Sequence, residues 1–143
     1  MTEEFDWFDT NVLVAASIPE HIHHEMSNSR LGRLARRAGA CSAHSLAELY
    51  TTLTRPTRYR LPPIDAARII DHINKTFKVV SLTPAEYVRT IEAAAISGLA
   101  GPIVYDALLM ATARKIDART IYTHNIKHFR QVAPDLASRI KEP

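Results

Sequence analysis

The fold is decided by the stretch Phe5-Asp-Trp-Phe-Asp9, near the start of the 143-residue chain. Its aromatic and apolar residues predict a buried β-strand, and Asn11-Val-Leu-Val14 continues the pattern as the exit of that strand. Asp9 and Thr10 come where the strand is predicted to end. In an α/β sheet this is the edge at which ligands bind, so Asp9 is the first candidate for a functional residue.

The rest of the chain alternates short β-like runs with longer helical patterns. Helices are predicted over His21–Ala38, Ser45–Leu53, from Pro63, over Thr83–Gly98, over Gly101–Ile116 and over Asn125–Val132. Strands are predicted over Ala40–Ala43, Lys78–Leu82 and Arg119–Thr123. Strands separated by helices predict an α/β fold, with a central parallel sheet covered by helices on both faces. The length suits one compact domain over residues 1–143.

Composition excludes several classes of protein. Cys41 is the only cysteine, so an intrachain disulfide and a thiolate zinc framework are both excluded. The longest charge-free apolar stretch, residues 93–105, is too short to cross a membrane. The N-terminal residues include Glu3, Glu4 and Asp6 and do not resemble a secretory signal, so we expect a cytoplasmic protein.

Positive charge is concentrated in two groups of arginines, although the net charge is only +3. The first group comprises Arg30, Arg33, Arg36 and Arg37, and the second comprises Arg55, Arg58 and Arg60. Both patterns fit either solvated helix faces and loop ends or contacts with a polyanion. We take the first group as the candidate contacts to the phosphates of a polyanion.

Asp106 stands out because it is the only charged residue between Glu92 and Arg114. Its neighbours predict a helix that is apolar nearly all round and therefore buried. A carboxylate there must be paired, hydrogen-bonded or bound to a cation, since an unpaired buried charge is strongly destabilising. The alternative is a favourable contact with the helix dipole just after Pro102. The apolar surroundings favour a functional role.

Glu48 has a simpler interpretation as a structural residue. Ser45-Leu-Ala-Glu48 fits a capping box, in which the acid accepts a hydrogen bond from the N–H of the capping residue. Thr83-Pro-Ala-Glu86 has the same pattern.

Asn125 also has a structural interpretation, as a helix N-cap. Alternatively, Asn125 and Thr123 face the water around a metal ion.

Several acids gathered at one point repel one another, and a divalent cation removes that penalty. Carboxylate oxygens suit Mg²⁺ or Mn²⁺, which can activate water and stabilise charge on a phosphodiester. His21, His23 and His24 with Glu25 form a much weaker candidate for zinc, because the i, i+4 histidine spacing of zinc-binding helices is missing. The absence of a glycine-rich phosphate loop argues against a nucleotide-dependent enzyme.

Four motifs in this order resemble those of the PIN domain family, and most closely its VapC-type ribonuclease toxins. They are Phe8-Asp9-Thr10-Asn11-Val-Leu-Val14, Ser45-Leu-Ala-Glu48-Leu-Tyr-Thr-Thr-Leu-Thr-Arg55, Tyr105-Asp106-Ala-Leu-Leu-Met-Ala-Thr-Ala113 and Thr123-His-Asn125-Ile-Lys-His-Phe129. The resemblance covers essentially the whole chain. It implies a three-layer α/β/α fold and a ribonuclease that depends on Mg²⁺ or Mn²⁺.

The resemblance also implies roles for individual residues. Asp9, Glu48 and Asp106 match the family's first three acids and would bind the metal, with Thr10 and Thr123 as polar groups beside it. Asn125 falls on a fourth catalytic position that is often aspartate, so one negative charge is missing and a second metal would bind weakly or not at all. With RNA as the substrate, Arg30, Arg33, Arg36 and Arg37 become the candidate contacts to its phosphates. Toxins of this kind are typically homodimers whose acidic site is blocked by a cognate antitoxin.

Two rival hypotheses come from other classes. The first is a non-catalytic PIN-like module that binds RNA or protein, which Asn125 favours. The second is an aspartyl-phosphate phosphatase or a receiver domain, with Asp9 as the phosphorylated residue. A phosphatase of that class needs an aspartate two positions later, where this chain has Asn11.

Overall fold

The computed structural model describes residues 3–32 and 38–143. Its strands are β1 (Asp6–Phe8), β2 (Gly39–Ser42), β3 (Lys78–Val80), β4 (Thr120–Tyr122) and β5 (Ile140–Lys141). Its helices are α1 (Thr10–Ser17), α2 (His24–Gly32), α3 (Ala43–Thr54), α4 (Pro63–Thr76), α5 (Pro84–Ile96), α6 (Ile103–Lys115) and α7 (Ile126–Val132), with a 3₁₀ helix over Pro134–Arg139. None of the described helices is long and apolar enough to span a bilayer.

The five strands form one parallel sheet in the order β3-β2-β1-β4-β5. The chain moves outward from β1 through β2 to β3, and then returns to place β4 on the other side of β1. The strand order therefore reverses between β1 and β4, and ligands of such sheets bind at this point, beyond the carboxyl ends of the strands. The predicted α/β class with a central parallel sheet is confirmed.

Helices cover both faces of the sheet, so the central strand β1 is buried on both sides. Trp7 packs into one core with residues of β4, α6 and α7, including Ile121, Met110 and Phe129. The next residue, Phe8, points to the opposite face, as alternation along a strand requires, and packs with residues of α1 and α3. The three-layer α/β/α arrangement follows directly from these two cores.

One helix was not predicted, and another begins later than predicted. Asn11-Val-Leu-Val14 is part of α1 and not a strand exit, because the Asp9 side chain accepts from the Thr10 N–H and caps a helix at that point. The helix predicted from His21 begins at His24, because the His23 N–H donates to the His21 ring and not to a helical carbonyl. β5 and the 3₁₀ helix had not been predicted.

Thr112 allows a direct test of this packing. Its buried hydroxyl accepts from the Trp7 indole N–H at 3.0 Å and donates to the Leu109 carbonyl at 2.7 Å. Thr112→Val keeps the shape but leaves the indole N–H without its partner, so we expect urea denaturation to show a loss of about 1–3 kcal/mol.

Thr51→Val is the matched control for this substitution. The Thr51 hydroxyl is exposed and donates to the Ala47 carbonyl on the outside of α3, so the change should stay within about 0.5 kcal/mol. Equal stability of the Thr112 variant and the wild type would contradict the assigned hydrogen bond.

Candidate active site

Asp9 lies between the carboxyl ends of β1 and β4. Its N–H donates to the Tyr122 carbonyl at 2.9 Å, which joins the ends of the two strands. One carboxylate oxygen, Oδ1, accepts from the Thr10 N–H at 2.8 Å, and the other, Oδ2, accepts from the Thr123 hydroxyl at 2.9 Å. The residue is only 5% exposed. Two neighbours from separate elements therefore hold this carboxylate in a fixed orientation.

Asp6, in β1, is a second buried acid, and it has a structural role. The guanidinium of Arg119 donates to both of its oxygens, at 3.1 and 3.0 Å. This two-point pairing satisfies the buried charge within the protein. Among the residues that the structure describes, Asp9 accepts hydrogen bonds only from neutral donors and pairs with no cation, which separates the two acids.

Glu48 does not belong to a capping box, so that interpretation is wrong. α3 begins at Ala43 and is capped by Ser42, whose hydroxyl accepts from the His44 N–H at 3.2 Å. The predicted cap, Ser45, lies inside the first turn and is fully buried. The other pattern, at Thr83 and Glu86 before α5, does form both hydrogen bonds of a capping box.

Glu48 instead faces α1. The Thr10 hydroxyl lies 2.9 Å from the Ser45 hydroxyl oxygen and 3.4 Å from Oε1 of Glu48. The same Glu48 oxygen lies 3.7 Å from Nε2 of His44, one turn earlier in α3. Thr10 therefore connects the first two acids of the site: its N–H contacts Asp9 and its hydroxyl contacts Glu48.

Asp106 approaches from the first turn of α6. This helix is less buried than predicted, since Tyr105 is 57% exposed while Leu109 and Met110 lie in the core. The Asp106 side chain is 29% exposed, and its Oδ2 lies 3.8 Å from Nδ1 of His128. Asp106 thus lies at the boundary between the core and solvent, where its carboxylate can reach a ligand.

The three acids line one cleft of about 290 Å³. Thr10, Asn11 and Asn125 contribute further polar groups to its wall. Among the described residues there is a larger cavity, of about 410 Å³, between α5 and α6. Two of its charged groups, Glu86 and Lys115, pair with each other at 2.7 Å, so we place the site in the smaller, acidic cleft.

The cleft disfavours the charged form of its carboxyl groups. Burial raises the pKa of Asp9 to about 7; hydrogen bonds from Thr123 and Thr10 oppose the rise, and the charges of Glu48 and Asp106 add to it. Burial also raises the pKa of Glu48 and that of Asp106. Negative charge gathered with little compensation is the environment that a bound cation stabilises.

Comparison with known proteins identifies the family. The PIN domain family model matches residues 7–134. The chain is also 34% identical over 106 residues to Ribonuclease VapC27 of Mycobacterium tuberculosis. The aligned residues make up 73% of this chain and 74% of that protein. The chain belongs to the PIN domain family.

Solved structures of a VapC toxin and of a toxin–antitoxin complex share this fold. VapC20 of Mycobacterium tuberculosis, described as a toxin that cleaves the sarcin–ricin loop, aligns with a TM-score of 0.68 and 19% identity, over 86% of this chain and 92% of that one. A toxin–antitoxin complex from Klebsiella pneumoniae aligns with a TM-score of 0.62 and 18% identity, over 87% and 89% of the two chains. The predicted family and its three-layer fold are confirmed.

The PIN domain's acids fit a hard divalent cation by their chemistry, since all their donor atoms are carboxylate oxygens. Their side chains do not converge, however: no group of three or more His, Cys, Asp or Glu within residues 3–32 and 38–143 is arranged to hold a metal ion. The Glu48 and Asp106 side chains are 39% and 29% exposed, which leaves them room to turn toward an ion beside the fixed Asp9.

The other residues predicted for the site divide into two sets. Thr123 is fully buried and contacts Asp9, while Asn125 is exposed at the rim of the cleft, where its N–H donates to the Thr123 hydroxyl at 2.9 Å. Arg30 lies elsewhere, with its guanidinium 4.9 Å from the centre of the Tyr122 ring and its side chain in a separate groove. Arg33, Arg36 and Arg37 lie outside the described residues.

Several side chains of the cleft had not been predicted as site residues. His21, Arg58 and Tyr59 line it, and His44 and His128 flank two of the acids. The pKa of His21 is lowered by burial, with further contributions from the nearby His23, Arg58 and His24. The signals in the sequence were the arginine group of residues 55–60, which fits contacts with a polyanion, and the histidine run that begins at His21.

The family match argues against the rival use of Asp9 as a phosphorylated residue, because the PIN domain model covers residues 7–134. In addition, Asn11 stands two positions after Asp9, where an aspartyl-phosphate phosphatase needs an aspartate. The histidines at positions 21, 23 and 24 are likewise not arranged as a metal site in the described part of the chain.

Proposed function

We propose that this PIN domain is an endoribonuclease that requires Mg²⁺ or Mn²⁺ and acts as the toxin of a toxin–antitoxin pair. The observation that carries the proposal is the shared cleft of Asp9, Glu48 and Asp106, located where the strand order of the sheet reverses. The similarity to VapC27, which is named as a ribonuclease, supports RNA as the substrate.

Asp9, Glu48 and Asp106 would hold the cation. A bound Mg²⁺ or Mn²⁺ supplies Lewis acidity at the phosphodiester and stabilises the negative charge that develops on it. The protein contributes orientation: Thr10 and Thr123 fix the Asp9 carboxylate from two directions. Hydrolysis then adds water across the phosphodiester and breaks one phosphorus–oxygen bond.

Asn125 adds one neutral amide to the three acids of the proposed site. It makes no side-chain cap to α7 among the described residues, so the amide is available to the cleft that it lines. A neutral group there would bind a second cation more weakly than an aspartate. We therefore propose a site with one strongly bound ion.

Metal dependence is the first expected result. Purified protein treated with EDTA should leave a mixed RNA substrate intact, and added Mg²⁺ or Mn²⁺ should restore cleavage. The same titration with Ca²⁺ is a control for ionic strength and RNA folding, because that larger ion fits the geometry of magnesium sites poorly.

Cleavage that persists in EDTA would contradict the proposal. RNA binding without cleavage in either metal would instead support the non-catalytic module that Asn125 favours.

We also propose two protein partners and a location. The Klebsiella pneumoniae neighbour is a toxin–antitoxin complex, which supports a cognate antitoxin that covers the acidic cleft. Exposed apolar residues along α5, namely Tyr87, Val88, Ile91 and Ile96, support a homodimer through that helix. An RNA substrate supports action in the cytoplasm.

A further inference from the structure

The loop between α3 and α4 forms one wall of the acidic cleft. It is a compact turn, since the N–H groups of Arg58 and Arg60 donate to the Arg55 carbonyl at 3.1 and 3.3 Å. The Leu61 N–H donates back to the Leu53 carbonyl of α3 at 2.9 Å. Tyr59 and Leu61 pack against the core on that face of the sheet. The loop is therefore anchored at its exit and through its aromatic side chain.

This loop places Arg58 among the residues that line the cleft. Its guanidinium lies 5.4 Å from the centre of the Tyr59 ring, within the range of a cation–π contact. It is the only arginine or lysine that lines the cleft within the part of the chain that the structure describes. This arginine therefore lines the same cleft as the three acids.

RNA bound in this cleft needs such a cation. A cation held by the acids neutralises charge at the scissile phosphodiester, but the next phosphate along the strand still meets an acidic wall. Arginine suits that position because its planar guanidinium donates two parallel hydrogen bonds to a phosphate and keeps its charge at all physiological pH values.

We propose that Arg58 binds the backbone phosphate of a nucleotide adjacent to the cleaved bond, and that Tyr59 positions its guanidinium for that contact. This inference rests on the proposed ribonuclease function and adds the residue that sets the register of the RNA strand in the cleft. Base identity plays no part, because a phosphate contact positions the strand and does not select its sequence.

Arg55 is a matched control in the same loop. It carries the same charge and lies three residues away, but it does not line the cleft. Arg60 is a poorer control, because its substitution would also change the structure of the loop. Its side chain donates to the Pro56 carbonyl, and its backbone has a φ of 54°.

The test measures RNA affinity as a function of salt concentration. All variants carry Asp9→Asn so that the RNA stays intact, and the probe is a short fluorescent single-stranded RNA in Mg²⁺. Removing one phosphate contact should reduce the slope of log affinity against log salt by about 0.7. We expect Arg58→Ala to show this change with a loss of affinity of about tenfold or more, while Arg55→Ala keeps the original slope.

Two further variants separate the charge of Arg58 from the planar shape of its guanidinium and from its positioning by Tyr59. Arg58→Lys should keep the salt slope but bind more weakly, because lysine lacks the planar pair of donors. In the active protein, Arg58→Ala should raise KM with little change in kcat, as expected when an interaction is equally strong in the ground and transition states. Tyr59→Leu should weaken RNA binding less than Arg58→Ala.

An unchanged salt slope in Arg58→Ala, alongside normal RNA cleavage by the active protein, would overturn this inference and leave the proposed function intact. An equal change in Arg55→Ala would also overturn it, since it would reveal a diffuse effect of loop charge. Failure of the ribonuclease proposal itself would be seen separately, as absence of RNA cleavage by the protein without substitutions.

Discussion

Asp9→Asn is expected to lower the rate of RNA cleavage by about 1,000-fold or more, because it removes a charge from the centre of the site while keeping the shape of the side chain. The exposed Asp71→Asn, on α4, is the matched control and should retain full activity. Cleavage by Asp9→Asn within tenfold of the wild-type rate would remove Asp9 from the proposed mechanism.

The same substitution should stabilise the metal-free protein. Burial raises the folded-state pKa of Asp9 from 3.8 to about 7, so the unfolded chain loses its proton first as the pH rises. The Asp9 carboxyl group therefore makes the wild type lose stability as the pH rises from about 4 to about 7, and the asparagine variant lacks this contribution.

We expect Asp9→Asn and the wild type to be similar near pH 4. At pH 8 the variant should be more stable, by at most about 4 kcal/mol. Urea denaturation in EDTA at a series of pH values measures this difference. A variant less stable than the wild type at pH 8 would contradict the electrostatic cost assigned to the site.

Glu48→Gln is expected to lower cleavage by about 100-fold or more without loss of stability. Its carboxylate faces Thr10 and the cleft and does not cap α3, so no helix cap is lost. Thermal unfolding and the cleavage rate of one preparation measure both effects. A clear fall in melting temperature with full activity would restore the capping interpretation.

Glu86→Gln is the matched control because it changes the acid of a true capping box. Hydrogen bonds from Lys115 and from the Thr83 N–H lower the pKa of Glu86 to about 2. The stability that Glu86 contributes is present above its ordinary pKa and is lost as the pH falls toward 2. At neutral pH this variant should therefore be less stable than the wild type but should cleave RNA at the normal rate.

These two glutamates show how far the sequence could predict the site. Both follow a Ser or Thr by three residues, and only the start of the helix distinguishes them: Ser42 caps α3 one turn earlier than the pattern suggests. The position of a cap depends on where the preceding strand ends, and β2 ends at Ser42 because its register with β3 extends that far. Local sequence does not encode that register.

Other parts of the fold were predictable because their signals are local. The Thr83-Pro84 start of α5 and the Pro62-Pro63 start of α4 are both found as predicted. α1 was not predicted, because its β-branched residues favour a strand, whereas burial of Val12 and Val14 against the sheet favours the helix. β5 is two residues long, too short for any alternating pattern.

Arg58 could not be recognised from sequence for a similar reason. Its loop carries three arginines, and only the turn that anchors Tyr59 to the core decides which of them lines the cleft. By contrast, Asp9 and Thr123 were predictable as neighbours, since both follow strands whose carboxyl ends lie at the same edge of a parallel sheet.

The central claim is that Asp9, Glu48 and Asp106 act together as one metal site. Titration of Mn²⁺ into EDTA-treated and dialysed protein, with free Mn²⁺ followed by electron paramagnetic resonance, tests it most directly. We predict one strongly bound ion per wild-type chain and an affinity at least about tenfold lower in Asp106→Asn. Equal Mn²⁺ affinity in the two proteins, or cleavage of RNA without any Mn²⁺ binding, would contradict the account.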